Sequence, residues 1–160
     1  MVTNVTVTFD RVVSFVGQPT NAFKLTRVGP GTPNGDVTLA VDLTGSTASQ
    51  TIAKLTFSGA LTEGVASNLS LIDGNYTLTV LSNQITGGLT SDNVSNLFRL
   101  FGDIDGNKTV NGLDLTAFRN AFGTNQGDTS YQPFLDFDGN GAINGTDLTQ
   151  FRNRFGVILP

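Results

Sequence analysis

The strongest constraint on this chain is a duplication in its last third. Residues 103–123 align without a gap on residues 136–156, and 14 of the 21 aligned positions are identical. The shared pattern is D-x-D-G-N-x-x-[V/I]-N-G-x-D-L-T-x-F-R-N-x-F-G. A segment repeated with so few changes predicts two copies of one local structure, each with carboxylates and amides at the same positions.

The spacing of these oxygen-bearing residues is typical of a calcium loop. Ca²⁺ takes six to eight oxygen ligands at about 2.3–2.6 Å, supplied by loop positions 1, 3, 5, 9 (often through water) and 12 and by the backbone carbonyl of position 7. An apolar helix face follows each loop directly. We therefore predict two Ca²⁺ ions. The predicted ligands are Asp103, Asp105, Asn107, the Thr109 carbonyl, Asn111 and Asp114 in the first loop, and Asp136, Asp138, Asn140, the Ala142 carbonyl, Asn144 and Asp147 in the second.

The distribution of charge supports a bound cation. Six of the 13 acidic residues lie in the two loops, three in each, and Lys108 is the only lysine there. Each trio would repel itself without a cation, and two Ca²⁺ ions would bring the formal charge from −4 to −4 + 4 = 0. Asp, Asn and Gly also favour turns that bind no ion, but two such turns in the same register favour the metal interpretation.

The two loops differ at position 6, where a calcium loop normally has glycine because the backbone needs a positive φ. The second loop has Gly141 there, whereas the first has Lys108. A residue with a Cβ in that conformation carries strain of about 1 kcal/mol or more. Position 12 is Asp in both loops, one methylene shorter than the usual Glu. Because the two loops differ at position 6, we predict that the second site binds calcium more tightly.

The composition excludes several classes of function. The chain has 160 residues and contains no His and no Cys, so a His-based catalytic triad, a thiolate or imidazole metal site and a disulfide are all excluded. We predict no enzymatic activity. A net charge of −4 and a pI near 4.5 argue against nucleic acid as a partner. No apolar run reaches the ~20 residues of a membrane span. Residues 1–4 lack the basic and apolar parts of a secretory signal, which we expect to lie outside this chain.

Hydrophobic periodicity divides the chain into two modules. Residues 2–88 alternate apolar and polar side chains in six or seven short runs separated by Gly, Asn, Asp and Pro. This pattern predicts an antiparallel β-sandwich, either Ig-like or a jelly roll. From Asp92 onward the period becomes helical, and the spacing predicts one helix face from Val94, Leu97, Phe98 and Phe101. The predicted fold is α+β, with a β-sandwich over 1–88 and a small α-helical calcium-binding module over 89–160.

The duplicated loop and helix ending in F-R-N-x-F-G resembles a type I dockerin over Leu97–Gly156. The strings D-G-N-Y-T-L-T-V at Asp73–Val80 and F-R-L-F-G-D-x-D-G at Phe98–Gly106 also resemble the C-terminal ends of bacterial extracellular proteins that carry such a repeat after a β-domain. The resemblance implies an extracellular, non-catalytic, EF-hand-like docking module whose partner is a cohesin-type β-sandwich. It places the partner contacts at loop positions 10 and 11 and on the following helix, which here are Gly112, Leu113, Arg119, Asn120, Gly145, Thr146, Arg152 and Asn153.

Three hypotheses for function follow. The first is a calcium-stabilised assembly protein that docks to copies of itself in a filament or surface lattice, because the chain holds two binding-type modules and no cargo enzyme. The alternative is a dockerin tag that attaches a secreted protein to a cohesin-like receptor. Carbohydrate binding is the weakest of the three, because sugar platforms need exposed aromatic rings and the chain has no Trp and two Tyr.

Overall fold

The computed structural model describes residues 1–31, 33–65 and 69–160. Its strands are short and lie in the first 99 residues, and its two α-helices follow. The strands are β1 (Asn4–Thr8), β2 (Ser14–Phe15), β3 (Phe23–Val28), β4 (Gly35–Asp36), β5 (Thr38–Asp42), β6 (Ile52–Ser58), β7 (Thr62–Glu63), β8 (Ser70–Leu71), β9 (Gly74–Val80), β10 (Ile85–Thr86) and β11 (Asn93–Arg99). The α-helices are α1 (Gly112–Ala121) and α2 (Gly145–Arg154), and 3-10 turns cover Pro19–Ala22, Ser82–Gln84 and Pro133–Leu135.

Two antiparallel sheets enclose the first core. One has the strand order β1-β6-β5 and the other the order β11-β9-β3-β4. Side chains alternate along the central strands, so that Leu55 of β6 and Leu25 and Leu78 of β3 and β9 point into a single buried cluster. This is the period of two that the sequence predicts, and the α+β class is confirmed.

The segment Asp73-Gly74-Asn75 does not form the hairpin turn that its composition suggests. Its composition predicts a hairpin turn before Tyr76, but β8 pairs with β7 and not with β9, which begins at Gly74. The segment instead links two sheets, and the Asp73 carboxylate is free to face the helical module. Its contacts there are described below.

The prediction of a helix over Val94–Phe101 is wrong. Residues 93–99 form β11, which pairs along its whole length with β9. Val94, Leu97 and Phe98 lie in this strand at the edge of its sheet, and Phe101 follows the strand. Asn93, Ser95 and Asn96 favour the strand, because these side chains compete with the backbone for hydrogen bonds inside a helix. The β-module boundary at 88/89 is therefore better placed near Leu100, which we propose as the revised division.

A second buried cluster holds the two helices together. Phe118 of α1 and Phe151 of α2 are fully buried, with ring centroids 4.9 Å apart. Val110 and Ile143, at position 8 of the two loops, are 0% exposed and complete this core. No helix in the described ranges has both the length and the apolar character needed to cross a membrane.

The two loops pair differently from what the repeat suggests. Position 8 of paired calcium loops normally joins them through a short strand, which predicts a contact between Val110 and Ile143. Instead, Val110 exchanges backbone hydrogen bonds with residues 156 and 157, just after α2, at 2.8 and 3.0 Å. Ile143 does the same with residues 123 and 124, just after α1, at 2.8 and 2.9 Å. Each loop is thus closed by the segment that ends the other repeat.

Candidate metal centres

The first loop folds around the carboxylates of Asp103, Asp105 and Asp114. One oxygen from each lies within 4.8 Å of the other two. Backbone N–H groups of residues 106–108 donate to Asp103 at 2.8–3.1 Å, and two further N–H groups of the loop donate to Asp114 at 2.7 and 2.8 Å. The backbone of the loop therefore orients the Asp103 and Asp114 carboxylates.

The second loop repeats this arrangement with Asp136, Asp138 and Asp147, whose oxygens also lie within 4.8 Å of one another. Asp147 is 0% exposed and accepts two backbone hydrogen bonds, both at 2.7 Å. Asp136 has an additional partner, because the Tyr131 hydroxyl donates to its Oδ2 at 2.6 Å. The equivalent position before the first loop is Phe98, which has no hydroxyl.

The shared N-G-x-D string explains why a helix begins at the end of each loop. Asn111 and Asn144 are the N-cap residues, and each side-chain oxygen accepts the N–H two residues ahead at 2.8 Å. The carboxylates of Asp114 and Asp147 reach back to the N-cap N–H, which completes a capping box. A carboxylate in the first turn also interacts favourably with the helix dipole. Position 12 therefore belongs to both the loop and the helix.

Position 6 has the backbone conformation that the sequence predicts. Lys108 has φ = 67°, and it is the only non-glycine residue of the described ranges with a positive φ. Gly141 holds the equivalent position with φ = 84°. The first loop therefore carries backbone strain that the second does not.

The electrostatics of the loops favour a cation. Burial raises the pKa of Asp103 above its ordinary value. Burial also raises the pKa of Asp147, and the negative charges of Asp138 and Asp136 raise it further. Partial burial and the hydrogen bond to Asp136 raise the pKa of Tyr131 to about 12. At a pH above its raised pKa, such a carboxyl is ionised in the folded protein, and this lowers the free energy of unfolding. A bound cation offsets this cost, because it favours the ionised form.

The donor set fits calcium. It consists of carboxylate, amide and carbonyl oxygens, the ligands of a hard cation, and each loop brings three negative charges together. The Asn107 and Asn140 oxygens accept N–H groups inside their own loops, at 2.8 Å in each case. Two of the eight predicted partner residues, Arg119 and Arg152, line one groove between α1 and α2. All eight lie exposed on the surface of the two repeats.

Comparison with known families then gives one match. The family model for the dockerin type I domain matches residues 101–156. Residues 101–156 are a dockerin domain. The resemblance inferred from the repeat is thereby confirmed for the C-terminal third of the chain. Dockerin domains bind calcium and act in protein–protein docking.

Comparison with solved structures adds little to the dockerin assignment. A similar chain comes from the crystal structure of an N-terminal interface mutant of the type II cohesin–X–dockerin complex from Acetivibrio cellulolyticus. It shares 19% identity, and the alignment covers 98% of this chain and 97% of that one, with a TM-score of 0.33. So low a score carries no argument. No curated protein gives a significant match.

Sequence reasoning missed one group of residues beside the dockerin domain. Glu63 and Asp73 of the β-module form ion pairs with Arg99 and with Arg154 at the end of α2. The partners lie between 26 and 91 positions apart in the chain, so no local motif connects them. The available signal is Arg99 itself, because a charged side chain within the apolar run Leu97–Phe101 needs a buried partner.

Proposed function

We propose that this chain is a secreted, non-catalytic docking protein whose dockerin domain binds a cohesin-like partner when calcium is bound. The observation that carries the proposal is a groove between α1 and α2 with a volume of about 500 Å³. Equivalent residues of the two repeats line it: Leu115, Phe118, Arg119 and Phe122 from the first, and Leu148, Phe151, Arg152 and Phe155 from the second.

The chemistry of the groove suggests what covers it. Phe122 and Phe155 remain 46% and 50% exposed, and their rings pack in tilted orientations against Phe118 and Phe151, at centroid distances of 6.3 and 6.2 Å. Exposed aromatic rings beside a packed aromatic core are typical of an interaction site. Arg119 and Arg152 add positive charge, so the partner surface should combine apolar side chains with acidic ones.

The proposal includes two calcium ions and the ligands predicted for each loop. In support, the carboxylates at positions 1, 3 and 12 converge in both loops, and the capping boxes connect position 12 to the helices that form the groove. Bound calcium would hold α1 and α2 in the orientation that creates the groove. Millimolar extracellular calcium would saturate even weak sites.

Replacing Phe122 or Phe155 by serine tests the docking surface. Each substitution removes a large apolar contact from the proposed interface, so we expect affinity for a cohesin module to fall about tenfold or more. The measurement is isothermal titration of the full chain, in millimolar calcium, against a panel of purified cohesin modules. Light scattering of each mixture gives the mass of the complex.

Phe134→Ser is the matched control, because Phe134 is 41% exposed and lies outside the groove. It should bind like the wild-type chain. A panel in which no cohesin module binds would contradict the proposed partner. Equal losses for all three substitutions would contradict the proposed surface.

Lys108→Gly tests the ranking of the two calcium sites. It removes the Cβ from a backbone with φ = 67°, which relieves strain of about 1 kcal/mol and corresponds to a roughly fivefold gain in affinity at the first loop. We expect calcium titration of the wild-type chain to show a weaker first site, and Lys108→Gly to reduce the difference.

Lys108→Asn controls for the loss of the lysine side chain, whose ammonium lies 5.6 Å from the Phe98 ring centroid and donates to the Pro160 carbonyl at 3.0 Å. Asparagine lacks that charge and tolerates positive φ less well than glycine. The ranking is wrong if Lys108→Gly leaves the first site unchanged, or if Asp114→Ala and Asp147→Ala variants keep sites of equal affinity.

Self-association remains a second candidate because of one strand edge. β1 is an outer strand of its sheet and contains no charged residue and no proline. Edge strands without such protection can pair with another chain. Light scattering of the chain alone in calcium separates the candidates: polymers that dissolve on chelation would favour a filament or lattice, whereas a monomer at every concentration favours docking to a foreign partner.

Burial of four aromatic rings argues against carbohydrate binding as the main role of the β-module. Tyr76 is 2% exposed, and its hydroxyl donates to the Ile72 carbonyl at 2.7 Å. Phe9, Phe23 and Phe57 are also buried. These rings therefore present no face to a sugar.

A further inference from the structure

A group of four charged side chains joins the β-module to the dockerin domain. We call Glu63, Asp73, Arg99 and Arg154 the charge cluster. The side chains of Arg99 and Arg154 are 3% and 12% exposed, and those of Glu63 and Asp73 are 23% and 20% exposed. The cluster has no net charge, and because it is largely buried, removing any one of the four partners leaves an uncompensated charge and is costly.

Asp73 is the central residue of the charge cluster. Its Oδ1 accepts hydrogen bonds from Arg99 Nη1 at 2.5 Å and from the backbone N–H of Phe101 at 2.7 Å. Its Oδ2 accepts from Arg154 Nε at 2.5 Å. Arg27 holds the backbone of Asp73 from within the β-module, because Arg27 Nε donates to the Asp73 carbonyl at 2.9 Å. The carboxylate is thus fixed to the sheet and reaches both calcium repeats.

The contact with the first repeat is direct. Phe101 lies two residues before Asp103, the first carboxylate of the first loop. The hydrogen bond from its N–H to Asp73 fixes the backbone where the loop begins.

The contact with the second repeat passes through Arg154. Its guanidinium lies over the rings of Phe101 and Phe137, at 5.4 and 5.1 Å from their centroids. Phe137 stands between Asp136 and Asp138, and its N–H donates to Asp147 at 2.7 Å. Arg154 thus connects the end of α2 with the backbone that orients the second carboxylate trio. Glu63 binds the same guanidinium at 2.9 and 3.0 Å.

We propose that Asp73 is a positioning residue of the β-module that orients both calcium loops, so that the calcium affinity of the dockerin domain depends on the charge cluster. Asp73 is not a ligand in this proposal. It acts by restricting the backbone at Phe101 and the guanidinium of Arg154, which lowers the cost of ordering the loops when the ion binds. The coupling is reciprocal, and calcium should therefore tighten the charge cluster.

The test is Asp73→Asn in the full chain, with calcium itself as the probe. Asparagine keeps an acceptor oxygen but removes the negative charge, and we expect calcium affinity to fall on the order of tenfold at one or both loops. Hydrogen exchange at the Phe101 amide adds a readout that does not depend on binding: calcium should slow it in the wild-type chain and slow it less in the variant. Asp36→Asn is the matched control, because Asp36 binds Lys24 and Thr26 within the β-module.

Two results would overturn the proposal: calcium affinity within twofold of wild type in Asp73→Asn, or an equal loss in Asp36→Asn. If Asp73→Asn does not fold, Glu63→Gln decides, since it removes the negative charge that Arg154 and Arg99 share with Glu63 and leaves the Phe101 hydrogen bond to Asp73 intact. A loss of about threefold supports the proposal, and no loss contradicts it. A double-mutant cycle with Arg154→Met tests whether Asp73 acts through Arg154. In the Arg154→Met background, adding Asp73→Asn should lower calcium affinity at the second loop by less than a further twofold. If the two substitutions instead lower this affinity independently, the route through Arg154 is contradicted.

Discussion

Replacing Asp147 by alanine is expected to abolish calcium binding at the second loop and to unwind α2. The carboxylate is fully buried and accepts hydrogen bonds from the N–H groups of Phe137 and Asn144. Alanine removes the proposed ligand and half of the capping box, and it leaves two buried donors unpaired at about 1–3 kcal/mol each. The predicted loss is therefore several kcal/mol. Calcium titration and far-UV circular dichroism measure it.

Two variants separate the causes of this loss. Asp147→Asn keeps one acceptor oxygen but lacks the charge, so it should bind calcium poorly while retaining more of α2 than the alanine variant. Asp42→Ala removes one exposed carboxylate from the β-module, where Asp42 accepts the N–H of Thr44 at 2.9 Å, and it should leave both sites intact. Calcium binding by Asp147→Ala with unchanged stoichiometry would show that position 12 is not a ligand.

Removing calcium is expected to melt the dockerin domain while the β-module stays folded. Each loop gathers three carboxylates within 4.8 Å, and their repulsion is uncompensated without a cation. At a free calcium concentration 1,000 times Kd, each ion adds about 4.1 kcal/mol of stability. A chelator should therefore remove the circular dichroism signal of α1 and α2, 10 residues each. Hydrogen exchange should show continued protection of β6 and β9.

Magnesium provides the control for this experiment. It requires near-octahedral geometry at about 2.0–2.1 Å and keeps several of its waters, so it should restore little helix at equal concentration. Calorimetric titration of the chelated protein should count two calcium ions. One ion per chain, or a helix content that chelation does not change, would contradict the proposal of two calcium sites.

The calcium loops could be predicted from the sequence because their chemistry is local. Twelve consecutive residues contain each set of predicted ligands, and the carboxylates at positions 1, 3 and 12 converge in both loops. The positive φ at Lys108 was predictable for the same reason, since the loop geometry requires it. The alternating strands were equally predictable from the sequence, because the period of two at β6 and β9 depends only on one face of each strand being buried.

Features that depend on distant partners could not be predicted in this way. β11 has apolar residues at helical spacing, and only its pairing with β9 decides its structure. The charge cluster joins Glu63, Asp73, Arg99 and Arg154 across as many as 91 positions. Asp73 gave no sign of this role, because D-G-N is a common turn sequence. The pairing of Val110 with the end of α2 has the same origin, since it depends on how the helices pack.

Because of that crossed pairing, each repeat depends on the other repeat for part of its own structure. The backbone partner of Val110 follows α2, and the partner of Ile143 follows α1. A single repeat, with one loop and its own helix, would therefore lack the backbone partner of its position 8. It would also expose Phe118 or Phe151, which are buried in the core that the two repeats share. A duplication of this kind becomes useful only when both copies are present. Afterwards, neither copy can be lost or transplanted alone, although each remains free to vary at its exposed surface.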